Sequence, residues 1–167
     1  APVSRLRLLA VKAFGVGTVA LVAVALVAVA GLATGLVISG FDGMVTLSGT
    51  TLPLADTLGR VAIAVLWVLA QLLAVSAIAL AVSACTEHPL LVVATVIGGL
   101  IANGLLNTIP ALDWFRPFLL TSSWESVIDV LRDTVPADDL VPGLLRAACY
   151  VLIGYGLAVA RMVTKDT

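Results

Sequence analysis

Within the apolar stretch Leu90–Ile109, Thr95, Gly99, Asn103 and Asn107 recur at intervals of four. On a helix of 3.6 residues per turn they form one slowly drifting stripe of polar and small side chains, on a rod otherwise made of Leu, Val, Ile and Ala. Such a stripe must face protein or water, which leaves plain helix packing, a subunit interface or a substrate path. Gln71 raises the same question near the midpoint of another apolar run. A buried amide there either bonds a neighbouring helix or lines a wet path.

Elsewhere the chemistry is sparse. His88 has no second His or Cys nearby, so no metal-ligand set is expected. Cys85 and Cys149 fall near the inner end of one run and in the outer half of another, beyond the roughly 7 Å that a disulfide allows between Cα atoms. Both read as free thiols used as small apolar residues. There is no Gly-Lys-Ser/Thr phosphate loop, no His-Glu-x-x-His and no Gly-x-Ser-x-Gly, so no catalytic, cofactor-binding or metal-binding residue is assigned. No Asp, Glu, Lys or His stands in the middle of an apolar run, where ion-coupled carriers place such groups. If the chain moves a substrate, the energy is expected from a partner.

The elements that must position these residues follow from composition. With 61% hydrophobic and 11% charged residues, the 167-residue chain reads as an all-α, polytopic helical membrane protein forming a single transmembrane domain. A net charge of −1 speaks against a nucleic-acid partner. Spans are expected at about 13–37, 58–84, 89–110 and 141–163, with an outer segment at about 111–140. The first run carries no charge from Ala13 to Phe41, roughly 44 Å of helix against a ~30 Å hydrocarbon core. Arg5, Arg7 and Lys12 precede it and set that end inside. Alternation then returns Arg161 and Lys165 to the same compartment. Ala-Pro-Val-Ser at the start, without Met and without a cleavage-site pattern after the apolar run, leads us to expect that an N-terminal part of a longer protein is missing.

Several local signals refine this outline. Gly31-Leu-Ala-Thr-Gly35 has the small-xxx-small spacing of close helix contacts. Asp42-Gly43 and Ser48-Gly49 bracket Met44-Val45-Thr46-Leu47, marking a short outer loop with an extended strand pair, and Asp56 is placed to cap the second span. Cys85-Thr86-Glu87-His88-Pro89 is short enough to make spans two and three antiparallel neighbours, with Pro89 in the first turn of the third. Trp114-Phe115-Arg116-Pro117-Phe118 reads as an aromatic anchor at the headgroup level. Ser122-Ser-Trp-Glu125 matches a capping box; from it Trp124, Val127, Ile128 and Leu131 share one face, and Glu125, Asp129, Arg132 and Asp133 the other. That pattern predicts a short amphipathic helix lying along the outer surface, after which Asp138-Asp139 and Pro142-Gly143 turn the chain back. Only Ala147–Ala160, roughly 21 Å of helix, separates Arg146 from Arg161. The last helix therefore begins near Val141, and Arg146, more than a turn inside, either snorkels outward or pairs with Asp138 or Asp139.

This order of elements resembles the permease subunit of a bacterial ABC transporter of the ABC-2 type. Pro2-Val3-Ser4-Arg5 leading through Lys12 into an apolar helix resembles the family's stretch between coupling helix and third span. Ser83-Ala-Cys85-Thr86 resembles the short inner turn after the fourth, Trp114 to Asp133 is similar to the outer re-entrant or amphipathic helices, and Arg161-Met-Val-Thr-Lys165-Asp166 resembles the closing cytoplasmic tail. The resemblance implies that the first two of six spans and the coupling helix lie outside this sequence. It also implies a second permease copy or homologue, and two ATPase subunits that carry ATP and Mg. By the same likeness Leu90–Ile109 is the family's fifth span, with Thr95, Asn103 and Asn107 on the pathway or interface. Arg5, Arg7 and Lys12 then face the ATPase or anionic lipid, and both chain ends lie on the cytoplasmic side of a bacterial plasma membrane. A fragment of a secondary carrier or channel, or a non-transporting membrane scaffold, are the rival readings.

An even number of crossings is directly testable. Single thiols introduced near either end, in a chain stripped of Cys85 and Cys149, are expected to react with an impermeant maleimide only after intact cells are opened. Reaction of the two ends from opposite sides would overturn the topology.

Overall fold

The computed structural model describes residues 5–40, 44–45, 49–130 and 137–164. The uncharged first run forms α1, Arg5–Ser39. It stops at Gly40, whose positive φ of 73° suits the residue after a helix and whose N–H donates back to the Leu36 carbonyl at 3.0 Å. The outer loop carries the expected strand pair: β1, Met44–Val45, lies antiparallel to β2, Thr51–Leu52, with Met44 opposite Leu52. Asp42, Gly43 and Ser48, the other turn signals, lie outside the described residues.

Next come α2, Leu54–Cys85, and α3, Pro89–Asn107. Asp56 is the third residue of α2 and not its cap; Pro53 holds the capping position, and Asp56 still faces the positive end of the helix dipole. Pro89 opens α3 as expected, where its missing N–H is not needed. Two 3₁₀ helices, Pro110–Phe118 and Leu120–Ser123, lead into the four-residue α4, Ser126–Asp129. The last helix, α5, runs Ala137–Thr164. It begins before Val141, so Asp138-Asp139 and Pro142-Gly143 belong to the helix and do not form a turn. α1, α2, α3 and α5 are each long and apolar enough to cross a membrane, which makes the chain a polytopic helical membrane protein.

Three apolar clusters fix how these helices lie. Leu9, Leu80 and Ala158 meet at one end, bringing the start of α1 and the ends of α2 and α5 to one face of the bundle. Ala74, Leu120 and Ala147 meet midway, and Trp67, Val130 and Leu140 close the opposite end. The α2–α5 pair is the densest part. Ala74, Ala77 and Ala158 are completely buried, and a Cβ placed on Gly154 would stand 2.7 Å from the carbonyl carbon and oxygen of Ala77. The backbones touch at Gly154 of α5, four positions before the fully buried Ala158. By contrast, a Cβ on Gly31 would meet nothing within 4 Å, so that end of the motif in α1 packs against no other helix of the chain. Cys85 and Cys149 are free thiols, but both are exposed and neither packs as a small core residue.

Because backbone cannot step aside as a flexible side chain can, Gly154→Ala is expected to destabilise the protein by about 1–3 kcal/mol. Gly31→Ala should change stability by less than about 0.5 kcal/mol. Unfolding of the purified chain in mixed micelles of increasing SDS fraction measures both.

A candidate site beneath the re-entrant outer segment

Ile109 is extended ahead of Pro110, which keeps the segment after α3 from continuing that helix, and Leu112 kinks the 3₁₀ helix that follows. Its exposed part carries the expected aromatic group: Trp114 meets Phe115 edge-on at 5.5 Å, Phe115 lies 5.8 Å from Phe118, and Arg116 pairs with Asp113 at 3.1 Å. Beyond Phe118 the chain leaves the surface. Leu119 and Leu120 are 2% and 1% exposed, and Leu120 packs between Ala74 of α2 and Ala147 of α5. Ala74 lies 11 positions before Cys85, roughly 16 Å along α2, so Leu120 reaches the middle third of that helix. The chain dips into the bundle and returns.

The capping box does not form, because its residues are engaged elsewhere. Ser122 Oγ donates to the Leu119 carbonyl at 2.7 Å, and α4 starts after Glu125 with no side-chain cap. Of the expected apolar face, Val127 packs on the Trp67 cluster while Trp124 and Ile128 are exposed. Leu131, Arg132 and Asp133 lie outside the described residues.

Non-helical backbone at this depth needs partners, and side chains of the spans supply them. Arg146 donates from one guanidinium nitrogen to the Leu119 carbonyl at 2.8 Å and to Ser122 Oγ. Among the described residues its partners are this carbonyl and hydroxyl, and no acid pairs with it; the Asp139 side chain lies outside the described residues. One turn along α5, Tyr150 donates its hydroxyl to the Phe118 carbonyl at 2.8 Å. From α3, Asn103 Oδ1 accepts both the backbone N–H of Thr121 at 3.2 Å and its hydroxyl at 2.6 Å. Arg60 of α2 donates to the Val130 carbonyl at 3.2 Å.

Beneath the segment is a cavity of about 210 Å³ between α2, α3 and α5, lined by Thr95, Gly99, Asn103, Leu120 and Tyr150 among aliphatic side chains. Three of the four stripe residues therefore meet at one place. Asn107, the last residue of α3, is half-buried and does not line it. A neighbouring cavity of about 320 Å³, lined by Trp67, Gln71 and Trp124, shares Val75 and Leu100 with the first. Gln71 is 4% exposed and bonds a neighbouring helix, donating its amide to the Gly143 carbonyl of α5 at 3.2 Å. Its Oε1, and Nε1 of buried Trp67, find no partner among the described residues.

The basic residues at the start of α1 lie apart from this site. Arg7 and Lys12 are exposed at the opposite end of α1, while the Arg5 side chain lies outside the described residues. Sequence reasoning missed Arg146, Tyr150 and Thr121 as holders of the segment. The available signal was the Arg146–Tyr150 spacing of four, which puts both on one face of α5. Hydroxyl and amide groups lining an apolar cavity are of the kind that can hold a guest; the lining holds no nucleophile with an adjacent base. No protein-family model, curated protein or solved structure matches the chain.

Charge-assisted bonds of this kind contribute about 1.5–3 kcal/mol, so Arg146→Leu should destabilise the protein by that order and free the segment. A thiol at Leu120 is expected to resist a hydrophilic maleimide in the parent chain and to react readily once Arg146 is replaced.

Proposed function

We propose that this chain is the membrane-spanning permease part of a bacterial ATP-driven exporter of the ABC-2 type. It works with a second permease copy or homologue, and with separate ATPase subunits that bind ATP and Mg. The observation that carries this reading is the segment between the last two spans, which enters the bundle and closes a cavity lined by Thr95, Gly99 and Asn103. A path so placed is covered on one side of the membrane and bounded by helices on the others. Its walls, aliphatic apart from Thr95, Asn103 and Tyr150, suit an apolar or amphiphilic guest.

Two further features support the reading. The start of α1 and the end of α5 meet at one face of the bundle, where Arg7, Lys12 and Arg161 give it positive charge. In the proposed orientation that face is cytoplasmic. The polar groups of the cavity are neutral ones that bind without moving protons, so the driving force comes from ATP on the partner chain.

A tagged chain is expected to bring down a soluble ATPase bearing a Gly-Lys-Ser/Thr phosphate loop from its native membranes, and to change that enzyme's turnover. Replacing Asn103 and Asn107 together with Leu should impair transport or dimer formation while leaving the protein inserted. Wild-type transport and assembly in the double variant would discard the pathway role of the stripe.

A further inference from the structure

At the end of the bundle away from the re-entrant segment, α1 and α3 stand apart on the same side of α2 and leave a cleft of about 570 Å³. Gly15, Val16 and Val19 of α1 form one wall, Ser76 and Ser83 of α2 the floor, and Val92 of α3 the far edge. Lys12 stands at its mouth. A cleft with such walls inside a bilayer is filled by something apolar, since close packing of the surroundings is the lower-energy state. An acyl chain has no side chains and conforms to an open, mostly aliphatic groove of this kind.

Charge selects the kind of lipid. Lys12 is exposed, no described acid pairs with it, and it borders the same cleft as Leu80 and Ser83, within two turns of the α2–α3 connection. Arg7 and Arg161 are exposed at the same end. An ammonium group at the edge of hydrocarbon is stabilised by an anion at headgroup depth. We propose that this cleft seats one acyl chain of an anionic phospholipid, with the headgroup phosphate on the Lys12 ammonium. Such a seat is independent of the transport role.

The test uses the full chain, with Cys85 and Cys149 replaced by Ala, reconstituted in phosphatidylcholine vesicles. Phosphatidylglycerol and phosphatidylcholine, each spin-labelled near the chain terminus, report the motionally restricted fraction. Phosphatidylglycerol is expected to be preferred about fivefold, the effect of one cation at the membrane surface. Lys12→Gln should bring the preference close to unity, and Lys12→Arg should keep it, which separates lost charge from lost fold. Gly15→Leu should shrink the restricted fraction for both lipids; a Cβ there meets nothing within 4 Å, so the fold tolerates it. Equal association of the two lipids with the parent chain, or a preference that survives Lys12→Gln, would overturn the proposal. So would ready disulfide-linked dimers of a Gly15→Cys variant without any lipid preference, because the occupant would then be a helix of a second copy.

Discussion

A carbonyl stranded in hydrocarbon has no water to turn to, and the Leu119 carbonyl is where this chain meets that constraint. Between Phe118 and Glu125 the backbone leaves the α-helical pattern while Leu120 reaches the level of Ala74 and Ala147. α-Helices satisfy their own polar groups, whereas this segment does so only in part, through bonds such as Ser122 N–H to the Leu119 carbonyl at 3.3 Å, and the spans add to them. Arg146 lends two donors to one point, the Leu119 carbonyl and the Ser122 hydroxyl, and Ser122 closes the loop by donating to the same carbonyl. The arrangement also explains how an arginine resides well inside a membrane helix. Its charge is spread over a planar group with five donors, and neutral acceptors stand in place of bulk water.

That exchange works only because α2 and α5 approach closely. Gly154 against the Ala77 backbone shows that approach, and Gly143 shows how the segment fits beside it: a Cβ on Gly143 would stand 3.1 Å from Ser123 and 3.3 Å from the Trp67 ring. The missing side chain is the space through which the returning segment passes, and the Gly143 carbonyl on the same turn receives the Gln71 amide. A Pro-Gly pair therefore serves packing here and not reversal. Pro142 costs α5 one intrahelical hydrogen bond near its start, where the chain is already anchored by Leu140 against Trp67 and Val130.

What could be read in advance divides along range. The spans, the outer strand pair and the tight α2–α3 connection are written in local runs of charge, apolarity and turn residues, and they appear close to where those runs place them, except that α5 begins at Ala137 and takes in the expected turn. The inward path of the outer segment is not local. Its bonds join Arg146 to Leu119 across 27 positions and Asn103 to Thr121 across 18, while the capping box and amphipathic pattern nearby describe a surface helix that would satisfy the same residues in isolation. The stripe on α3 was legible up to a point that helix geometry itself sets. Each step of four residues overshoots a turn by about 40°, so Thr95, Gly99 and Asn103 still share one cavity and Asn107 has rotated away from its lining. Gln71 was identifiable as a residue needing a partner; which helix supplied it required the fold.

Lipid as the solvent also accounts for the uneven packing of the four helices. In water, α3, which buries none of its residues, would be driven onto its neighbours by the exposed Leu, Ile and Val along its length. In lipid that drive is absent, because acyl chains solvate those side chains as well as protein does. Close approach then persists only where small residues let backbones touch or where polar groups need one another. α2 and α5 have both devices. α3 is held by Asn103 at one end and the short connection at the other, and α1 mainly by Leu9, Ala20 and Val24. The clefts beside α1 are thus not packing failures but the expected result of helices with few small-residue or polar contacts in an apolar solvent. They leave the α2–α5 pair and the segment it grips as the most closely packed part of the molecule.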